Sequence, residues 1–314
     1  NQEACSCYTV SSSTSPRPLF HAHHFFDFRT FNPADLTTPS TPQTREYYPD
    51  DYNPDPFGAL NTPLFTSHFA IQTWSRNATS EFPIPLTNSP SNIYLSHDPD
   101  ASPSHLTLRT SRTPTFQSTA ELECAYKNML YASLRMRARV LGSPGGVAGF
   151  FTFYNDTQES DIEILTRDPV TNVRYTNQPA LNDEGDEVAG ASQDVGGLKS
   201  WEEWREHRVD WLPGESVWWV DGGEVARSRY MVPTVESYLV LNMWSDGGEW
   251  SGVMEEGASA ELQVEWIEMV FNVSGEMRGK ECGVVCKVDG VKEVGTPEAV
   301  KGAAVELKVA WGLL

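Results

Sequence analysis

The 314-residue chain has no run near the ~18 consecutive apolar residues that a membrane helix needs, and its longest apolar stretch is GGVAGFFTF. No membrane partner is therefore expected. Cations are scarce. The 23 Lys and Arg face 43 Asp and Glu, a net charge of −20, which excludes nucleic acid as the main partner because phosphate binding needs a cationic surface. The same repulsion disfavours anionic lipid and sulfated polymers. Cysteine is sparse and odd in number, five in all at Cys5, Cys7, Cys124, Cys282 and Cys286, so at least one stays unpaired or reaches another molecule. No His pair at zinc-finger spacing accompanies them. Cys282 and Cys286 are close enough in sequence to staple a turn. Proline thins out along the chain, with fifteen of 21 before residue 115, and the first third is expected as loops and short edge strands. A long amphipathic helix pattern is missing, as is any repeat of fixed period, which excludes solenoids and propellers.

Aromatics at 11% and hydrophobics at 39% supply too much apolar surface for a disordered acidic chain. Residues 1–19 read as a Ser/Thr/Pro-rich N-terminal arm, 20–274 as one β domain and 275–314 as a C-terminal appendage. HHFFDFRTF is a strand candidate, and from residue 104 the pattern turns to period two, in runs separated by turn signals. In Leu130–Val140, Leu130, Ala132, Leu134, Met136, Ala138 and Val140 alternate with Tyr131, Ser133, Arg135, Arg137 and Arg139, giving one buried and one wet face. HRVDWLPGESVWWVDGGEV reads as three short strands joined at Pro213-Gly214 and Asp221-Gly222. SYLVLNMW and ELQVEWIEMVFN add two more strands, and the closing GAAVELKVAWGLL reads as a terminal strand or packed tail. The sequons at Asn77, Asn155 and Asn272 fit a secreted, extracellular chain. Asn77 and Asn272 are the expected acceptors; Asn155, on the parity of Glu159, is the least expected.

The most informative stretch is Glu159-Ser160-Asp161-Ile162-Glu163-Ile164. Strand alternation puts Glu159, Asp161 and Glu163 on one face and the two Ile on the other. Like charges so close resist full ionisation, so at least one carboxyl stays protonated near neutral pH. One carboxylate and one carboxylic acid are what glycoside hydrolysis needs. Four residues at ~3.3 Å separate the outer backbones by about 13 Å, while a retaining pair has its carboxyls ~5–5.5 Å apart. The strand is therefore expected to bend over a concave cleft.

ESDIEI, with YASLRMRARV before it and HRVDWLPGESVWWVDG and LVLNMWSDGGEW after it, resembles glycoside hydrolase family 16, particularly its fungal secreted members of endo-β-1,3(4)-glucanase type. The resemblance spans about residues 104–272. It implies an all-β fold, a β-jelly-roll sandwich of two curved antiparallel sheets with a concave sugar-binding cleft. It also implies Glu159 as nucleophile, Glu163 as acid and then base, and Asp161 as the group that holds the nucleophile and tunes both. The expected activity is retaining cleavage of internal bonds in neutral β-1,3- or mixed-linkage β-1,3/1,4-glucans. A cell-wall transglycosylase using the same acids and a lectin-like binding module are the rival readings. No cofactor is expected, although a structural calcium ion occurs in parts of the family.

If Leu239, Leu241 and Met243 face the core, Asn242 and Trp244 face the cleft or solvent, and Trp244 is suited to stacking on a pyranose ring. Trp250, in a Gly-rich loop, and Tyr131, on the wet face of its strand, complete the candidate substrate-binding set. Trp211 and Trp266 are expected in the core, while the adjacent Trp218 and Trp219 must face opposite ways. His21, His23 and His24 read as a surface strand end, not as metal ligands. The chain is expected to act as a monomer on a neutral polysaccharide. Six cations and ten acids lie before residue 115, against 17 and 33 after it, so the acidity is concentrated around the acid strand.

Overall fold

A computed structural model describes residues 4–49, 54–98, 104–275 and 282–300. Among them helix is confined to Pro63–Thr66 and three single 3-10 turns, and strands carry the fold, as the period-two pattern requires. The fold is a β-jelly roll of two antiparallel sheets.

The cleft sheet runs, in spatial order, Ser192–Val195, Val173–Asn177, the acid strand Gln158–Leu165, the floor strand Val147–Asn155, Tyr238–Trp244, Gln117–Cys124 and Phe69–Ile71. The outer sheet runs Gly223–Ser228, Glu215–Val220, Arg205–Leu212, Met129–Gly142 and Ser259–Val273. Ser259–Val273 is long enough to pair with Ala22–Asp27 on one half and Ser104–Arg112 on the other. The sheets are not separate slabs. Residues Gln117–Thr119 pair within the outer sheet and Ala120–Cys124 within the cleft sheet, so this strand bends from one layer into the other.

Alternation fills the space between the sheets. Phe150, Ile162, Ile164, Leu239, Leu241 and Met243 come from the cleft sheet, and Leu134, Met136, Val140, Val209, Trp211, Leu262 and Val264 from the outer sheet, all buried. Each such side chain contributes about 1.5–3 kcal/mol by leaving water. The pair Asp221-Gly222 forms the tight turn it was read as, with both residues at positive φ, 48° and 78°. Trp211 and Trp266 are buried as expected. Trp218 points between the sheets, 5.6 Å from the Tyr175 ring. Its neighbour Trp219 lies under the Arg208 guanidinium at 4.8 Å.

The face of Leu130–Val140 expected to be wet is partly roofed. Arg135 is only 4% exposed because Asp289, from beyond residue 275, reaches its Nη1 at 2.6 Å. The roof is a third, four-stranded sheet in which Cys7–Thr9 lies parallel to Val285–Lys287 and is flanked by Leu19–Phe20, while Glu298–Ala299 flanks the other side. Two disulfides, Cys5–Cys286 and Cys7–Cys282, close it. They settle a pairing that the sequence leaves open: Cys282 and Cys286, close enough in sequence to staple a turn, each pair with the other end of the chain. Cys124 is left free and buried. Val10, Phe20, Leu212, Val270 and Val288 form a small core beneath the roof. The stretch GAAVELKVAWGLL lies outside the described residues.

Candidate active site

Period two brings Glu159, Asp161 and Glu163 to the open face of the acid strand, above buried Ile162 and Ile164. Antiparallel register then builds rows across the cleft sheet. Arg174, Glu163, Gly149, Asn242 and Glu121 form one row. Thr176, Asp161, Phe151, Val240 and Glu123 form the next, and Glu159, Phe153 and Tyr238 a third.

Asp161 is 2% exposed. Burial first, then the charges of Glu159 and Glu163, hold its carboxyl far above the usual range, and it hydrogen-bonds Glu159. Glu159 is raised as well, chiefly by burial and then by the neighbouring acids, while the bond from Asp161 draws it down. A hydrogen bond between two carboxyls requires that one of them carry a proton. Gln178 Nε2 donates to Asp161 Oδ2 at 3.1 Å. Glu163 stands apart from the pair. Burial pushes it up to about 7, with opposition from the Trp250 indole, which donates to its Oε1 at 3.2 Å, and from Arg174. Arg174 lies 4.7 Å from the Trp250 ring and pairs with Asp168 at 2.9 Å. All three carboxyls are thus held above their usual range, chiefly by burial, on one strand face of the cleft.

Asn242 and Trp244 fall on the cleft face as expected, half-buried, and Asn242 stands opposite Gly149. A Cβ on Gly149 would come within 2.4 Å of Asn242 Oδ1, so only glycine lets that amide lie across the floor. Trp250 joins the site through Glu163. Tyr131 does not: its strand belongs to the outer sheet, and its ring packs edge-on against buried Trp211 at 5.1 Å. The alternation placed Tyr131 away from the core but carried no information about which sheet its strand joins.

The sequence reading missed two features. Glu121 bonds Asn242 and accepts the Trp74 indole N–H at 2.6 Å, and burial raises it to about 7. Its alternation in Ala-Glu-Leu-Glu-Cys with buried Leu122 and Cys124 was the available signal. Phe151 and Phe153 form an aromatic line with Tyr238, with ring centroids 6.3 and 5.9 Å apart. Tyr238 is capped by Lys127 Nζ, 3.3 Å from its centroid.

The sequon at Asn272 also needs correction. Asn272 is 5% exposed, and its Nδ2, the atom a glycan would occupy, donates to Leu19 O at 3.0 Å. Asn77 and Asn155 are exposed. Among the described residues, the one group of three His, Cys, Asp or Glu ligand atoms close enough for a metal is Cys7, His21 and Cys282. Its sulfurs are spent in the Cys7–Cys282 disulfide, and calcium takes oxygen ligands, so this group does not fit the ion the resemblance raised. His23 pairs with Glu268 at 2.8 Å.

A jelly-roll cleft that holds three raised carboxyls on one strand face, with aromatics beside them, has the groups that glycoside hydrolysis uses. The pattern of Glycosyl hydrolases family 16 matches residues 84–268, more than half of the chain. The chain belongs to that family. It is 29% identical over 131 residues to Crh-like protein 2 of Aspergillus fumigatus, covering 37% of this chain and 28% of that protein. It is 28% identical over 122 residues to a xylanase/beta-glucanase of Ruminococcus flavefaciens, covering 36% and 14%. The matches thus span less than a third of either relative's length. A prokaryotic beta-1,3-1,4-glucanase (lichenase) from a mouse hindgut metagenome superposes with a TM-score of 0.52 at 18% identity, over 80% of this chain and 99% of that one.

Proposed function

We propose that the chain is a retaining, endo-acting hydrolase of neutral β-1,3- or mixed-linkage β-1,3/1,4-glucans. The observation that carries this reading is three buried acids on one strand face, Asp161 bonded to Glu159 and Glu163 standing apart under the Trp250 indole, all with their carboxyls raised by burial. Glu159 attacks the anomeric carbon and forms a glycosyl ester while Glu163 gives its proton to the leaving oxygen. Glu163, now ionised, takes a proton from the incoming water, and the ester is cleaved with net retention. Asp161 donates to Glu159 before attack and in the product, and lowers its proton affinity so that it is ionised when the sugar arrives. Trp244, Trp250, Trp74 and the Phe151–Phe153–Tyr238 line offer stacking faces, while Asn242 and Glu121 offer hydroxyl partners.

Neutral glucans are favoured because the net charge of −20 repels uronic and sulfated chains. The names of the Ruminococcus relative and the mouse-hindgut lichenase point the same way. Two disulfides tying residues 5 and 7 to 286 and 282 suit an oxidising compartment, which supports secretion. The test is a product profile on laminarin, lichenan, xyloglucan, chitin and agarose, with the anomer of the first product read by NMR. Internal cleavage of laminarin or lichenan with a β-configured first product is expected; an α-configured product overturns retention. Transfer onto a labelled oligosaccharide in preference to water replaces hydrolysis with transglycosylation.

A further inference from the structure

We propose that Gln178 is a positioning residue that decides which oxygen of Asp161 carries its proton, and thereby keeps that proton aimed at Glu159. The proposal rests on the reading of Glu159 as nucleophile.

Gln178 sits just past the end of strand Val173–Asn177, and its backbone N–H donates to the Glu159 carbonyl at 3.1 Å. Its main chain is therefore tied to the acid strand whatever its side chain does. The side-chain amide has one possible orientation. Oε1 accepts the backbone N–H of Ala180 at 2.8 Å, so the group facing Asp161 Oδ2 at 3.1 Å must be the NH2. The segment beneath is held as well: Tyr230 Oη donates to Pro179 O at 3.0 Å, and Asn177 Nδ2 to Tyr230 O at 2.8 Å.

An oxygen that faces an N–H donor is a poor seat for a proton, because two hydrogens would then point at each other. The acid proton of Asp161 is left to Oδ1, which is buried and meets no N–H or hydroxyl donor. A proton on Oδ1 is then the one that Asp161 can offer to Glu159, its bonding partner two residues back on the strand. Without the Gln178 NH2 the two oxygens become comparable seats. Whenever the proton moves to Oδ2, the Glu159 carboxylate loses its donor and holds its own proton more tightly. The other charged groups around the pair stay in place: Glu163 on the same strand, Asp156 in the hairpin turn, Glu121 across the cleft, and Arg174 opposite Glu163.

The experiment is the pH dependence of kcat/KM on lichenan for the wild type, Gln178→Leu and Gln178→Met, alongside Glu159→Gln. The acid limb reports ionisation of the nucleophile in the free enzyme. In both Gln178 variants it is expected to move up by about one pH unit, the scale of one hydrogen bond to a charged group, which lowers kcat/KM on that limb about tenfold. Loss of kcat/KM by one constant factor at every pH, with the limb unmoved, assigns Gln178 a structural part only and overturns the proposal. Gln178→Met, unbranched and close in length, carries the same expectation if the Leu variant does not fold. An active wild type with an inactive Glu159→Gln and unmoved limbs overturns the positioning role alone. A wild type that cleaves no glucan overturns the hydrolase reading and this proposal with it.

Discussion

The molecule holds buried acids in two places, the cleft and the space under the roof on the opposite face, and Asp289 under the roof shifts in the opposite sense to the cleft acids. In the cleft, Glu159, Asp161, Glu163 and Glu121 are all raised, chiefly by burial, and Arg174 is the cation that reaches Glu163, already paired with Asp168. Under the roof, burial raises Asp289 too, but Arg135 at 2.6 Å and Arg208 at 3.5 Å outweigh it and hold the carboxyl below its usual value. Arg208 also binds Asp210 and the carbonyl of Ser11. Both groups rest on strands of the same sandwich. The difference is close pairing with arginine: Asp289, hydrogen-bonded to Arg135, is held ionised as a cross-link between chain ends, whereas Glu163, with Arg174 already paired to Asp168, stays raised.

The comparison breaks first at Glu159. Glu159→Gln keeps the shape and the neutral form of the side chain but removes the nucleophile. Release of reducing sugar from lichenan is expected to fall by more than ~100-fold, at least ~3 kcal/mol of barrier, with the unfolding midpoint near that of the wild type or higher. A fall in stability with activity retained would mean that the cleft acids are structural after all.

The opposite pattern is expected at the roof. Cys7→Ser with Cys282→Ser opens a link between residues 275 apart in sequence, and removal of a native disulfide costs about 2–5 kcal/mol. Denaturant unfolding should show the loss, while kcat on lichenan at 25 °C stays within about twofold, because the roof covers the sheet that does not carry the acids. Asp289→Ala is the smaller version. It leaves Arg135, 4% exposed, facing the farther Glu206 and Glu268 at 3.7 and 3.6 Å, and about 2 kcal/mol should be lost. The pH sign follows from the depressed value. The contribution of Asp289 is full above the usual carboxylate range and disappears as pH falls through its lowered folded value. Wild type and variant should therefore converge in stability at strongly acidic pH and differ most near neutrality.

Much of the cleft was legible because a strand's period of two fixes which side chains share a face. ESDIEI and LNMW needed only that rule, and the Phe151/Phe153 alternation, though missed, obeys it too. Alternation gives parity within one strand, however, and says nothing about which strand lies beside it. Tyr131 was misplaced for that reason, since pairing of Met129–Gly142 with Arg205–Leu212 and Ser259–Val273 sets its sheet. Gln178 and Glu121 matter through cross-strand neighbours that no local pattern encodes. The roof was illegible for a stronger reason, because Cys5 and Cys286 are 281 residues apart, and nothing local in the sequence selects among the possible pairings of five Cys. Asn272 fits the sequon but is consumed by the contact of Leu19 with its amide.

The smallest effect separates the two acid groups most finely. Glu121 has its folded value raised to about 7 by burial, so it contributes fully to stability below the usual carboxylate range and is a growing liability as pH rises towards 7. Glu121→Gln removes that liability while an amide oxygen can still accept the Trp74 indole N–H. The variant should match the wild type at pH 4 and exceed it by roughly 1 kcal/mol at pH 8 in denaturant unfolding, the reverse of the pH trend expected for Asp289→Ala. Because Glu121 shares a row with Glu163 through Gly149 and Asn242, the same change should raise KM on lichenan several-fold with kcat altered less. Equal stabilities at both pH values would mean that Glu121 is ionised and paired in the free protein, a cross-link like that of Asp289 under the roof.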